Sequence, residues 1–183
     1  NAGPGSGIFW DLGPHLIDQV VQLFGMPQQV SADIRILREG GESDDAFEVT
    51  LHYAAITVKV GSSPFEAGPT LRYALQGTKG SYRKYHLDPQ EDQLKAGMSF
   101  NAPGWSVAPA PQHGTLYLED ESKPVATLNG GYTTFYRQLA TALITNNAEA
   151  LPASGQSVVA VIRLIELARL ASEQQQTLSV ECI

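Results

Sequence analysis

Residues 30–75 alternate apolar and polar side chains in successive short runs, and this alternation limits the fold more than any other feature of the sequence. The runs are VSADIRIL, FEVTLHY, ITVKV and LRYAL. A period of two is typical of half-buried β-strands, and the glycine-bearing turns REGGES, GSS and QGTKGS bound these runs. Neighbouring runs are therefore predicted to pair as antiparallel strands. A later run, GTLYLED, predicts one more strand.

A helix is predicted before the strands, in the stretch GIFWDLGPHLIDQVVQLFG, because apolar residues recur there at helical spacing. Pro14 suits the first helical position, where a missing N–H costs nothing, so Gly13 is the expected N-cap. Gly25 and Pro27 are then expected to end the helix.

The last third of the chain returns to helical periodicity. The segment YTTFYRQLATALITN predicts one helix, and ASGQSVVAVIRLIELARLASEQ predicts another with Ser154 as its N-cap. The final TLSV is a candidate edge strand. The first of these helices places Phe135, Leu139, Leu143 and Ile144 on one face. In the second helix, the candidates for burial include Val158, Ile162, Ile165 and Leu170.

The order of one helix, a run of strands and two closing helices indicates an α+β fold. We expect an open, predominantly antiparallel sheet with helices covering one face, in a single domain over residues 1–183. A chain of 183 residues with 43% hydrophobic residues is large enough to bury a core. The uncovered sheet face is predicted to be solvated or to pair with another copy. The residues that make it partly apolar are Leu37, Tyr53, Tyr73 and Tyr82.

A long segment rich in proline and glycine, AGMSFNAPGWSVAPAPQHG, separates the predicted strands. It carries two large aromatic residues, Phe100 and Trp105. Loops of this length usually line a site, contact a partner or are disordered, and the local sequence does not choose among these.

Charge and composition exclude several classes of function. The formal net charge of −7 argues against a nucleic-acid partner. No apolar run approaches the roughly 18 residues that span a bilayer, and no basic-then-apolar leader opens the chain.

Charged residues are 17%, below the usual value of roughly 25%, which favours a surface partly covered by an interface. The single cysteine, Cys182, precludes an internal disulfide and fits a cytoplasmic location. Asn1 and Ala2 are interpreted as the remnant of a cleaved tag.

Asp11, His15 and Asp18 place proton-transfer groups near the start of the first predicted helix. His15 and Asp18 share a helix face opposite the apolar stripe, and Asp11 is expected just before the helix. The positive end of the helix would stabilise the Asp11 carboxylate and favour a neutral His15 imidazole. A neutral imidazole beside a carboxylate can act as a general base.

Two other interpretations of this cluster remain open. A histidine or aspartate near a helix start is often a solvated surface residue without a chemical role. Two carboxylates and one imidazole could also bind a divalent metal ion. The other histidines are scattered through the strand region, so the metal interpretation is the weaker one.

The same stretch resembles a family signature. Asp11, Gly13, His15 and Asp18 fill the pattern Asp-x-Gly-x-His-x-x-Asp. This pattern opens the C-terminal domain of the Gfo/Idh/MocA family, named for glucose–fructose oxidoreductase and inositol dehydrogenase. The stretch LQGTKGSYRKY is similar to the family's strand–turn–strand, and residues 132–180 are similar to its two closing helices and last strand. The resemblance therefore touches both ends and the middle of the chain.

The resemblance implies an NAD(P)-dependent oxidoreductase that acts on sugars, polyols or related compounds by hydride transfer. It implies an N-terminal Rossmann domain followed by an α+β domain like the C-terminal domain of glyceraldehyde-3-phosphate dehydrogenase. By position, His15 is the implied catalytic base, Asp11 its catalytic partner and Asp18 a substrate-positioning residue. Trp10 borders the motif and is a candidate substrate contact, although an aromatic residue there more often packs. The family also implies a homo-oligomer, a dimer or tetramer, through the open sheet face.

Two family features are absent from these residues. There is no G-x-G-x-x-G turn between a strand and a helix, and there is no Glu-Lys-Pro motif. NAD or NADP is therefore expected to bind mainly to an upstream Rossmann domain of about 100–150 residues, with no cofactor-binding or metal-binding residue in this chain. The chain alone is expected to be inactive. The alternatives are a non-catalytic sugar-binding or assembly module on the same scaffold, and a metal-dependent isomerase or lyase.

Overall fold

The strands pair in two antiparallel sheets, where the sequence predicts one. The structure is a computed structural model and describes residues 3 and 5–182. The strands are β1 (Gln29–Arg35), β2 (Ala46–His52), β3 (Thr57–Ser62), β4 (Leu71–Gly77), β5 (Gly80–Tyr85), β6 (Gly114–Tyr117), β7 (Ser122–Val125) and β8 (Leu178–Ser179). The order is β3-β2-β1-β8 in one sheet and β4-β5-β6-β7 in the other. TLSV therefore supplies an edge strand, as predicted.

Helices accompany the sheets before, between and after the strands. They are α1 (Ile8–Phe24), α2 (Gln90–Lys95), α3 (Tyr132–Thr145) and α4 (Gly155–Gln174). The predicted α+β class is confirmed. No helix in the part of the chain that the structure describes is long and apolar enough to cross a membrane. Asn1 and Ala2, interpreted as a tag remnant, lie outside the described residues.

The chain divides into two compact units. The first joins the chain up to Phe65 to the chain from Ala153 onward, and the second is Glu66–Pro152. The first unit therefore holds α1, α4 and the β3-β2-β1-β8 sheet, and the second holds the other sheet with α2 and α3. A single domain over residues 1–183 stays a prediction.

The core of the first unit lies between its two helices and one face of its sheet. Strand alternation places Val30, Val49 and Leu51 on that face, and all three are fully buried. Ile17 of α1 and Leu164 of α4 pack against them. Burial of each such side chain contributes roughly 1.5–3 kcal/mol. This packing fixes α1, the helix of the signature motif, on the sheet.

In the second unit, the predicted QGTKGS turn joins β4 and β5 in a hairpin. Gly77 pairs with Gly80 and leaves Thr78 and Lys79 as a two-residue loop. β6 pairs with β5, and β7 completes the sheet at its edge. β7 was not predicted because its sequence, SKPV, lacks apolar alternation and its four residues are exposed.

The proline- and glycine-rich segment of the second unit is folded back on itself, and the short helix α2 precedes it. Gln90, which is 2% exposed, accepts a hydrogen bond from the Tyr132 backbone N–H at 3.0 Å. The Gln90 amide also donates to Asp88 Oδ1 at 2.8 Å. Gln93 Oε1 accepts from the Ser106 backbone N–H at 2.8 Å. The side chains of Gln90 and Gln93, rather than backbone pairing between strands, therefore hold this segment in place.

The first helix begins at Ile8, so the prediction of Gly13 as its N-cap is wrong. The reason is a partner that is distant in sequence: Asp44 accepts hydrogen bonds from the backbone N–H groups of Ile8 and Phe9, each at 2.8 Å. These bonds stabilise an earlier first turn and leave Pro14 inside the helix. The predicted end is confirmed, because Gly25 follows the last helical residue with φ 75° and donates its N–H to Val21.

Helical periodicity found the apolar faces of α3 and α4 but not what covers them. Ser154 caps α4 as predicted, accepting from the Ser157 N–H at 3.1 Å, and Ile165 is buried as predicted. Leu139 and Ile162 are half-buried. The burial predicted for Val158 and Leu170 is wrong for this chain, since both are exposed. On the apolar face of α3, Phe135, Leu143 and Ile144 are exposed.

Candidate functional site

Helix α1 carries all four residues that the sequence assigns to the site. Asp11 lies in the first turn and is exposed, and His15 is exposed one turn later. Asp18 and Trp10 are half-buried. Asp11 is thus inside the helix rather than before it, where its carboxylate still lies near the positive end. His15 lies beyond the first turn of the helix, which begins at Ile8.

The helix places Asp11 and His15 four residues apart on neighbouring positions of its surface. No hydrogen bond or ion pair joins these two side chains in the described structure, and the backbone carbonyl of His15 accepts from Gln19 Nε2 at 2.7 Å. Asp18 Oδ1 accepts a long hydrogen bond of 3.4 Å from Gln22 Nε2. The carboxylate of Asp11 and the imidazole of His15 can therefore both turn toward a ligand.

The cluster does not form a metal centre. Among residues 3 and 5–182, no three histidine, cysteine, aspartate or glutamate side chains are grouped so that they could hold a metal ion. The metal-dependent interpretation therefore has no geometric support in this part of the chain.

Asp44 holds the start of α1 from the loop before β2. Its side chain is 9% exposed, and its Oδ2 accepts from the Phe9 N–H at 2.8 Å. A hydrogen bond to a charged group of this kind contributes about 1.5–3 kcal/mol. The turn that carries Asp11 thus begins at a fixed point.

Arg169 of α4 completes this attachment. Its Nη1 lies 3.3 Å from Asp44 Oδ1, and its guanidinium carbon lies 5.8 Å from the centre of the Trp10 ring. A guanidinium at this distance is attracted to the face of an indole ring. Trp10 is therefore packed by an internal partner, which agrees with the structural interpretation of this residue.

The loop that presents Asp44 is itself held by the next residue. The Asp45 carboxylate accepts from the backbone N–H of Leu37 at 2.7 Å and of Arg38 at 3.1 Å. The hydrogen bond from Leu37 outweighs the partial burial of the carboxylate, and with the Arg38 contacts it lowers the pKa of Asp45. The ionised form of Asp45 thus fixes the β1–β2 connection.

Two glycines allow the close packing around this helix start. Gly7 has φ 107°, and a side chain there would collide with the Asp44 carboxylate. Gly13 is buried, and a Cβ there would lie 2.8 Å from Phe9 Cδ2. Gly13, the glycine of the signature pattern, therefore leaves room for the Phe9 ring and does not cap the helix.

Sequence reasoning missed Asp44 and Arg169. They are 125 residues apart, and neither lies in the signature stretch. No local pattern marks them, because an aspartate before a strand and an arginine within a helix are both common surface residues. Their roles follow from the packing of α4 against α1.

Comparison with known proteins settles the family of this chain. The family model for the oxidoreductase family C-terminal alpha/beta domain matches residues 1–181. The chain belongs to the Gfo/Idh/MocA oxidoreductase family. This finding confirms the resemblance drawn from Asp11, Gly13, His15 and Asp18.

Individual Gfo/Idh/MocA relatives cover nearly all of this chain. The chain is 35% identical over 185 residues to the scyllo-inositol 2-dehydrogenase (NADP(+)) IolW of Bacillus subtilis, covering 98% of this chain and 51% of that protein. It is 36% identical over 180 residues to the uncharacterized oxidoreductase YdgJ of Escherichia coli, covering 96% of this chain and 51% of that protein. The chain spans about half the length of these curated relatives.

A solved structure agrees with the fold. The Bacillus subtilis protein yvaA, described as an oxidoreductase, superposes with a TM-score of 0.89 at 32% identity. The match covers 98% of this chain and 52% of that one. The two-sheet α+β arrangement is therefore that of the C-terminal domain of a Gfo/Idh/MocA oxidoreductase.

Proposed function

We propose that this chain is the substrate-binding and dimerisation part of an NAD(P)-dependent dehydrogenase or reductase acting on a polyol, a sugar or a related compound. The observation that carries the proposal is the placement of Asp11 and His15, both exposed and neighbouring, on a helix whose start is fixed by Asp44. The family and the name of the relative IolW, an NADP(+)-dependent scyllo-inositol dehydrogenase, support a polyol substrate.

The described residues do not fit the pyrophosphate of a dinucleotide. Such a site needs a strand, a glycine-rich turn and a helix in succession. In the glycine-rich stretch before α1, Gly7 is packed against the Asp44 carboxylate, which leaves no room there for a phosphate. NAD or NADP, whose nicotinamide would accept or supply the hydride, is therefore proposed to be held mainly by residues outside this chain. This chain alone should show no tight binding of NADH.

The residues of this chain are proposed to handle the proton and the substrate. His15 would accept the proton of the reacting hydroxyl, and the Asp11 carboxylate would orient the ring and stabilise the charge that it gains. The separation of these side chains in the structure agrees with catalytic hydrogen bonds that tighten only when substrate is bound. Asp18 is proposed to position the substrate, and the half-buried Trp10 to border it.

The open sheet face proposed for dimerisation is that of the second unit. In the first unit the outer sheet face is polar, as the ion pair between Lys59 and Glu48 at 2.8 Å illustrates. In the second unit, Tyr73, Leu75 and Val125 leave large apolar surfaces exposed on one sheet face. A dimer or tetramer that covers this face would also account for the low fraction of charged residues. A cytoplasmic location stays a prediction.

The experiment that tests the proposed function is substitution of His15 in the intact parent protein. His15→Asn should lower kcat with a polyol substrate by roughly 10²–10⁴, the usual contribution of a general base. His113→Asn, a half-buried histidine of the second unit, is the matched control and should keep the wild-type rate. Retention of most of the rate by His15→Asn would show that His15 is not the general base.

A further inference from the structure

The sequence of α1 favours a later helix start than the one that the structure shows. Pro14 has no N–H, so the carbonyl of Trp10 cannot receive the helical hydrogen bond that position 14 usually donates. Gly13, directly before it, has a low helix propensity. Residues 8–13 nevertheless form the first part of the helix. Their helical conformation therefore depends on contacts from outside α1.

Asp11 and His15 lie on opposite sides of this weak point. Asp11 belongs to residues 8–13, and His15 directly follows Pro14. A spacing of four residues makes two side chains neighbours only where the backbone between them is helical. A helix that began at Pro14, the position that proline prefers, would leave Asp11 outside it and away from His15. The placement of the two proposed catalytic groups side by side therefore depends on what keeps residues 8–13 helical.

Asp44 supplies the first of these contacts. Its backbone carbonyl accepts from the Ile8 N–H at 2.8 Å, and its carboxylate Oδ2 accepts from the Phe9 N–H at 2.8 Å. These are two of the four N–H groups that a helix start leaves without an acceptor inside the helix. The Asp11 N–H then donates to the Gly7 carbonyl at 3.2 Å. The first turn thus begins on acceptors that the β1–β2 loop provides.

Arg169 of α4 supplies the second contact. Its Nη1 lies 3.3 Å from Asp44 Oδ1, the carboxylate oxygen that the first turn does not use. Its guanidinium carbon lies 5.8 Å from the centre of the ring of Trp10, the residue directly before Asp11. This arginine extends from a fixed part of α4, since the preceding Ala168 is fully buried. One guanidinium thus holds both the carboxylate under residues 8–13 and the side chain next to Asp11.

We propose that Asp44 and Arg169 are positioning residues of the reaction. They keep Asp11 on the same helix as His15, although the sequence at Pro14 favours a break between the two. This inference rests on the proposed function, in which His15 is the base and Asp11 is its partner. Because Asp44 and Arg169 act through Asp11, their removal should lower kcat only in a protein that still has the Asp11 carboxylate.

The test is a double-mutant cycle in the intact parent protein. Arg169→Met should lower kcat with a polyol substrate at least about tenfold in the wild-type background. In the Asp11→Asn background, it should lower kcat less than about twofold, because the carboxylate that it positions is already gone. Arg163→Met, at an exposed position of α4, is the matched control and should change kcat in neither background. An equal loss from Arg169→Met in both backgrounds would reveal a general structural effect and overturn the proposal.

A second variant restores the local hydrogen bond that the sequence lacks. Pro14→Ala returns an N–H to position 14 and raises the helix propensity there, so residues 8–13 should stay helical without Arg169. Arg169→Met combined with Pro14→Ala should therefore keep kcat within about threefold of Pro14→Ala alone. A loss of tenfold or more in this pair would contradict the proposal. The comparison also serves if Arg169→Met alone does not fold, because Pro14→Ala stabilises the helix.

Hydrogen–deuterium exchange of the same proteins provides a readout that needs no activity. Arg169→Met should speed exchange at residues 8–12 at least about tenfold and leave residues 16–24 unchanged. Adding Pro14→Ala should reverse the increase. Unchanged exchange at residues 8–12 would show that Arg169 does not hold the first turn, which would overturn the proposal.

The proposed function and this inference fail in different ways. If His15→Asn and Asp11→Asn both keep the wild-type rate, the proposed function is wrong, and this inference is wrong with it. If both lose rate whereas Arg169→Met keeps it, the proposed function stands and this inference alone is overturned.

Discussion

The guanidinium of Arg169 lies 3.3 Å from the carboxylate of Asp44, although 125 residues separate the two in the sequence. The same carboxylate accepts the Phe9 N–H at 2.8 Å, and the same guanidinium lies over the Trp10 ring. One ion pair thus connects α4, the β1–β2 loop and the first turn of the signature helix. The packing of the first unit leads to three predictions, and the exposed sheet face of the second unit leads to a fourth.

Removing the guanidinium should destabilise the chain. Arg169→Met leaves the nearly buried Asp44 carboxylate without its cation, and we expect a loss of about 1–2 kcal/mol in the free energy of unfolding. For a chain of this size that corresponds to a fall in Tm of about 2–8 °C. Arg163→Met, at an exposed position earlier in α4, is the matched control. Equal Tm values for the two variants would show that the ion pair does not stabilise the fold.

Adding one methyl group to the signature glycine should also destabilise the chain. Gly13→Ala would gain about 0.8–1 kcal/mol in helix propensity. Its Cβ would lie 2.8 Å from the ring of Phe9, which is fully buried and packed 5.1 Å from the Phe47 ring, so the ring has no room to move. Overpacking of this kind costs about 1–3 kcal/mol, which exceeds the gain. Gly155→Ala is the control, since nothing lies within 4 Å of its Cβ and α4 should gain stability. Chemical denaturation would give the free energy of unfolding of both variants. A Gly13→Ala variant more stable than the wild type would contradict the packing described for Phe9.

The hydrogen bonds of Asp45 should make stability depend on pH in the acid range. The folded pKa of Asp45 lies below that of the unfolded chain, so its stabilisation is complete above the unfolded value of about 3.9 and is lost as the pH falls through the folded pKa. Asp45→Asn lacks this ionisation. The difference in Tm between wild type and Asp45→Asn should therefore shrink as the pH is lowered below about 4. A difference that stays constant from pH 7 down to pH 3, measured by circular dichroism, would exclude this contribution.

A lysine on the proposed interface should prevent association. Leu75 is 50% exposed on the sheet face that also carries Tyr73 and Val125. Leu75→Lys places a charge within that face, and we expect at least a tenfold weaker dimerisation constant, equivalent to about 1.4 kcal/mol. Gln76→Lys adds the same charge to the next residue of β4, which points to the opposite face. Sedimentation analysis that finds Leu75→Lys as associated as wild type would place the interface elsewhere.

Local periodicity and turn chemistry predicted most elements of the fold. The alternating runs around Val49 and Val58 became strands, the QGTKGS turn became a hairpin, and Ser154 became the cap of α4. These features depend on neighbours within a few residues, which the sequence displays directly. A short pattern also singled out the candidate site residues Asp11 and His15, although the sequence placed Asp11 just before the helix and the structure places it inside.

Tertiary structure decided everything that depends on distant partners. The sequence shows Pro14 as a helix start, but Asp44 supplies hydrogen bonds that begin the helix at Ile8. The sequence shows an apolar face on α3, but Leu143 is exposed because no described element covers it. The sequence around Arg169 does not distinguish it from any other arginine in a helix. Its role follows only from the packing of α4 beside α1. Spacing along the chain determines which side chains share a face, whereas only the folded backbone determines what that face meets.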